Sequence, residues 1–202
     1  MSRSQDAHRI HERDGQWGSA GGLAATDRPL APNNLSGPET DIGREYRNAF
    51  LRSHSWLRAE LDAIRSVAAR ATAGQVDDNA AAVLIGDFAL VRHRWNLAEF
   101  CAGYCGALDS HHRREDREMF PAVLDAVPDL ADVVDRLRAE HLVIAHAVER
   151  LQLALTALTE SPKASGDVTA AAADLSSLLL SHLAYEEDQL HDGLGRLTGA
   201  HL

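Results

Sequence analysis

Two cysteines in 202 residues leave this chain almost no cross-linking chemistry. Cys101 and Cys105 stand one helical turn apart, so they read as reduced, small core residues rather than a disulfide, which suits a cytosolic protein. Positive charge is also scarce. Against 30 Asp and Glu there are 20 Lys and Arg, a net charge of −10, which argues against a general electrostatic footprint for nucleic acid or an anionic membrane. No run of about 18 apolar residues is available to span a bilayer, and the opening MSRSQDAHRIHERDGQ lacks the apolar segment of a secretory signal. Strand-like alternation is missing throughout. No reductase, DNA-binding or output motif is recognisable. The expectation is a cytoplasmic, all-α chain without a nucleic-acid or membrane partner.

Residues 1–40 are rich in Gly, Pro, Ser, Asn and Asp and show no periodicity, which predicts a flexible N-terminal arm, disordered or loosely docked. His8 and His11 within it read as solvated tail residues. Contacts with a partner subunit, and so a homodimer, are what would fix such an arm. Residues 41–197 carry helical periodicity, and 198–202 form a C-terminal tail.

A cap at Thr40 or Asp41 opens the first helix, whose apolar stripe is Phe50, His54, Leu57, Leu61, Ile64 and Ala68. The second starts at Gly86, ends between Pro121 and Pro128, and has the stripe Leu97, Cys101, Tyr104, Leu108, His111, Glu115, Met119. Gly103 and Gly106 inside it cost helix propensity, so either a close neighbour or simple tolerance must explain them. Asp129 to Thr159 carries Leu130, Val134, Leu137, His141, Ile144, Val148, Leu151, Leu155 and Leu158, with His146 off the stripe. Asp167 to Leu197 follows, with Leu175, Leu179 and Leu197 inward. Four amphipathic helices with short connections predict an up-down-up-down four-helix bundle.

Two stretches then stand out, HHRREDREMFP and HLAYEEDQL. In each, a His and a Glu are four residues apart (His111 with Glu115, His182 with Glu186), on a face that also carries the apolar stripe. An imidazole and a carboxylate in a hydrophobic seam are costly unless paired or bound to metal. Counting at about 1.5 Å per residue from the helix ends brings His54, His111, Glu115, His141, His182 and Glu186 to one level of one core, within roughly a turn. Imidazoles and carboxylates without thiolate suit iron, manganese or zinc. Four histidines and two carboxylates exceed one structural zinc and fit two metals sharing bridging carboxylates, with iron preferred for its redox chemistry. The competing reading is a bundle whose buried polar groups merely pair with one another and set the register.

Across about residues 41–197 the chain resembles the hemerythrin-like, HHE cation-binding family, most strongly in HHRREDREMFP and HLAYEEDQL and also in FLRSHSWLRAEL and RLRAEHLVIAH. The resemblance implies a four-helix bundle holding two iron ions in a non-haem, oxo- or hydroxo-bridged centre. It implies His54, His111, His141 and His182 as terminal ligands and Glu115 and Glu186 as bridges, with the Phe120-Pro121 ending selecting His111 rather than His112. Two departures from the oxygen carriers are visible. Ala145 stands where they place a second imidazole one turn after His141, and His182 and Glu186 replace a wider His to Asp spacing. The set is closer to bacterial hemerythrin-like proteins of stress responses. Implied ligands are hydrogen peroxide, nitric oxide and dioxygen, turned over at a site left open by Ala145. Binding or sensing of dioxygen or nitric oxide without turnover, and iron donation for repair, are the alternatives. His146, Glu118, Glu140, Tyr104 and Tyr185 are candidates to fill or tune the site.

Overall fold

Thr40 starts the first helix by satisfying two backbone groups at once. Its hydroxyl accepts from Gly43 N at 2.8 Å and donates to Leu197 O, while its own N donates to Gly195 O at 2.8 Å. Gly43 is required at this crossing, because a Cβ there would overlap the Gly195 carbonyl. The structure, a computed structural model, describes residues 27–72, 86–161 and 165–201. His8 and His11, and the side chains of Ala68 and Leu97, lie outside the described residues.

Four long helices result. They are α1 (Asp41–Thr72), α2 (Gly86–Arg114, prolonged by a π-turn over Glu115–Met119 and by α3, Phe120–Ala126), α4 (Ala131–Glu160) and α5 (Ser165–Leu194). Among the described residues there is no strand, and no helix is long and apolar enough to cross a membrane.

Their directions follow from paired residues. Thr40 meets Gly195 while Arg58 meets Glu187, so α1 and α5 run antiparallel. His54 faces His111 while Leu57 O accepts from Tyr104 Oη, so α1 and α2 do too. Glu140 meets His182 while Arg150 meets Asp174, which sets α4 against α5. With α2 packed on α4 the ring closes, an up-down-up-down bundle as expected.

The π-turn has a local cause. Pro121 has no N–H to continue the ladder, and its ring would press on the carbonyl of Arg117 in a regular helix. The chain widens there, with Phe120 N donating to Glu115 O, five residues back.

Two apolar clusters fill the interior. One gathers Leu57, Leu61, Leu108, Ile144, Leu151, Leu179 and their neighbours, with Cys101 and Cys105 buried and unpaired among them. The other gathers Phe50, Met119, Phe120, Leu130, Leu137, Leu190 and Leu194. Between Phe50 and Leu57, Leu108 and Met119, Leu137 and Ile144, and Leu179 and Leu190, each long helix contributes the polar residues that separate them.

Residues 27–40, expected as part of the arm, lie against the bundle. Ala31 and Leu35 pack on the second cluster. Tyr185 Oη donates to Pro29 O at 2.7 Å, Ala31 N donates to Gln189 Oε1 at 2.6 Å, and Arg196 Nε donates to Ser36 O at 2.9 Å.

Gly103 and Gly106 need no neighbour, since a Cβ at either would meet open space.

Candidate metal centre

The polar layer contains all six expected residues. His54, Glu115, His141, His182 and Glu186 are buried, and His111 is partly buried. A seventh joins them. His112, expected to lie off the site, is only 6% exposed, stacked on His141 with ring centroids 4.1 Å apart and edge-on to His182 at 5.5 Å. Phe120 covers the His141 ring as well, at 5.5 Å. His112 also satisfies an inward stripe, Cys101, Cys105, Leu108, His112, Glu115, Met119, all buried. At this level α2 presents both members of the doublet to the core.

Outward-facing nitrogens of three imidazoles are each met by a carboxylate. His54 Nδ1 lies 2.9 Å from Glu187 Oε1, His141 Nδ1 lies 3.1 Å from Asp116 Oδ1, and His182 Nδ1 lies 3.2 Å from Glu140 Oε2. An ionised carboxylate only accepts, so Nδ1 is the donor in each ring, which in a neutral ring leaves the lone pair on Nε2. Burial pushes the Glu140 carboxyl up, but hydrogen bonds from His182, Arg28 and Arg136 outweigh it and take it down to about 2. Desolvation also lowers His54 to about 2 and His111 and His182 to about 4, and holds His112 well below its usual range, with neighbouring imidazoles adding to the effect at His54 and His112. These four rings are therefore neutral in the fold.

The Nε2 atoms of His54, His111, His141 and His182 lie near carboxylate oxygens. His54 Nε2 is 3.6 Å from Glu115 Oε1 and 3.4 Å from Glu186 Oε2. His141 Nε2 is 3.4 Å from Glu115 Oε2, and His182 Nε2 is 3.5 Å from Glu186 Oε2. His111 Nε2 comes within 2.8 Å of Glu115 Oε1, yet the geometry makes no hydrogen bond. Nine buried atoms thus converge without a partner, namely five Nε2 and both oxygens of Glu115 and Glu186. Leaving each unsatisfied costs about 1–3 kcal/mol, so the nine together cost an amount of the same order as the roughly 5–15 kcal/mol by which a domain is stable. Burial accordingly raises both Glu115 and Glu186 well above the usual carboxylate range, with negative neighbours pushing further.

Cations relieve all of this together. Among the described residues, atoms within 4.8 Å of one another form three potential metal-holding groups: His54, His111 and Glu115; His112, His141 and His182; and Glu115, His141 and Glu186. Glu115 turns Oε1 to His54 and His111 and Oε2 to His141, so its two oxygens serve different groups of imidazoles. The donor set is nitrogen and oxygen, since both cysteines belong to the apolar cluster, where burial raises their thiols to about 12 and about 11.

Other expectations fare differently. Ala145 is exposed, so it leaves no gap beside His141; one turn away, the inward positions are Leu137 and Ile144. His146 is exposed beside Glu149, and Glu118 is exposed. Tyr104 donates to Leu57 O and Tyr185 to Pro29 O, and neither hydroxyl is used on the cluster. Of those five candidates only Glu140 acts on the site, through His182.

A four-helix bundle with a buried layer of imidazoles and carboxylates whose donor atoms lack partners is a metal-binding bundle. Residues 47–193 match the model of the hemerythrin HHE cation-binding domain, and the chain belongs to that family. Comparisons with curated proteins and with solved structures returned no match.

Proposed function

We propose that this protein is a non-haem di-iron protein that binds small oxidants, namely hydrogen peroxide, nitric oxide and dioxygen, and turns over at least one of them in a stress response. The observation that carries it is the convergence of nine partnerless buried donor atoms, with three Nδ1 atoms already committed to carboxylates. His54 and His111 would hold one ion, His112, His141 and His182 the other, with Glu115 and Glu186 between them. Two redox-active ions, if bound there, would supply the redox chemistry that such a molecule needs and a template that orients it. The chain contributes neutral imidazoles, oriented lone pairs and two apolar clusters that keep water from the layer. Fewer donors surround the His54/His111 position, and the His111 side chain is 15% exposed, so a small molecule enters there.

Reversible dioxygen binding without turnover is the second reading, and His112 favours it. With His112 the layer offers five imidazoles rather than four, so fewer positions on bound ions would be left for exchange. Oxygen evolution from hydrogen peroxide and consumption of nitric oxide by the iron-reconstituted protein test the first reading. Repeated oxygenation without either reaction establishes the second. Absence of bound iron with stoichiometric zinc refutes both.

A further inference from the structure

Arg28 precedes the region matched by the family model, yet it reaches the polar layer. Its Nε donates to Glu140 Oε1 at 2.8 Å and its Nη2 to Glu140 Oε2 at 2.9 Å, a two-pronged grip on one carboxylate. Nη1 donates to Ser181 O at 3.1 Å, and the guanidinium lies 4.6 Å from the centroid of the Tyr185 ring. Tyr185 in turn donates to Pro29 O, so strap and α5 hold each other on both sides of this arginine.

Glu140 Oε2 is also the oxygen that receives His182 Nδ1–H. Arg136 approaches the other oxygen, Oε1, at 2.6 Å. Arg28 therefore fixes the atom that sets the His182 ring, and a guanidinium planar with the carboxylate fixes its rotation as well as its charge. With the iron-binding reading above as its premise, we propose that the strap at 27–40 is a working part of the metal centre, with Arg28 a positioning residue that aims His182 Nε2 through Glu140. Docking of the strap then tunes the ion held by His112, His141 and His182 and leaves the His54/His111 position unaffected.

The test compares wild type, Arg28→Ala, Arg28→Lys and Arg196→Ala in the full chain. Co(II) titration under chelator competition reads the affinity of each ion, Co(II) absorption reads its coordination, and thermal unfolding of the metal-free forms reads packing. Arg28→Ala is expected to weaken one of the two ions by about 10–100-fold, as removal of partners behind metal ligands does, and to change its Co(II) spectrum while the second ion keeps wild-type affinity. Arg28→Lys, which keeps the charge and loses the fork, should fall between the two and carries the comparison if the alanine variant does not fold. Arg196→Ala removes the strap's bonds to Ser36 O and Leu35 O and should retain the wild-type spectrum. Wild-type affinities and spectrum in Arg28→Ala overturn the inference and leave the metal reading intact. An equal change in Arg196→Ala overturns the path through Glu140. A wild type that binds neither Co(II) nor Fe(II) overturns the metal reading and the inference with it.

Discussion

Replacing His112 by alanine distinguishes a metal donor from a packing residue, because the two roles give different signs. In the metal-free protein the imidazole is buried, neutral and unsatisfied at Nε2. Its removal relieves about 1–3 kcal/mol of unmet hydrogen bonding. Against that stand about 0.5–1.5 kcal/mol from the stacked pair with His141 and about 1–2 kcal/mol for the cavity, at roughly 24 cal/mol per Å³. These nearly cancel, so metal-free stability should change by no more than about 2.5 kcal/mol in either direction. With metal the balance shifts. Even partners behind a ligand are worth about 10–100-fold in affinity, so losing a direct donor costs at least about 100-fold, and metal-linked stabilisation falls by about 2.7 kcal/mol. Urea unfolding of metal-free and Fe(II)-loaded forms, with chelator competition for affinity and exposed His146→Ala as control, measures both. Equal destabilisation of the two forms with unchanged iron affinity would falsify the assignment of His112 as a donor.

Ala145→His should change neither iron affinity nor the spectrum, since position 145 faces solvent; an added imidazole band in the iron spectrum would contradict that placement. The pH dependence of the metal-free protein should be a dome. Below about pH 6.5 the unfolded chain protonates histidines that the fold keeps neutral, so stability falls toward acid by up to about 1.4 kcal/mol per pH unit for each such ring. From about pH 4.5 upward the fold retains protons on Glu115 and Glu186 that the unfolded chain has lost; the histidines outweigh this up to about pH 6.5, above which stability falls toward alkali, and bound metal should remove this second decline. Monotonic stability from pH 5 to 9 in urea titrations would contradict the buried-carboxyl argument. Gly103→Ala and Gly106→Ala should each stabilise by about 0.4–1 kcal/mol, because neither site is crowded, and a fall in Tm would reveal an unseen contact.

Helix positions and the depth of the site were legible because every long helix carries a regular stripe and the polar positions interrupt those stripes at one level. Phe50, Leu57 and Leu61, or Leu137, Ile144 and Leu151, are buried on the spacing that identified them. His112 was missed for a geometric reason. Two stripes run down α2, one through Tyr104 and His111 and one through Cys105 and His112, and a period of 3.6 residues lets both count as inward. A rule borrowed from the motif's ending chose between residues that the helix does not separate. Ala145 entered only through the comparison with the oxygen carriers; the stripe through His141, Ile144 and Val148 already left it off the inward side, and there the structure has it. Arg28 left no local signal at all. Its role comes from the path of an aperiodic segment across the α4/α5 seam, which no spacing rule reaches.

The repeated motif acquires its meaning from the neighbours it grips. Glu115 faces inward and Asp116, the next residue, holds His141 on α4; Glu186 faces inward and Glu187, the next residue, holds His54 on α1. Each motif therefore supplies one carboxylate to the centre and one to the back of an imidazole on an adjacent helix. Glu140 repeats the second role from α4 to His182 on α5. A slip of α1 against α5, or of α2 against α4, would cost at once a hydrogen bond behind an imidazole and the alignment of a lone pair in front of it. The polar layer thus specifies register between two apolar clusters that would otherwise tolerate sliding. Since the same contacts leave Nε2 and the carboxylate oxygens unsatisfied at the centre, the register they select is one in which a cation is the missing partner.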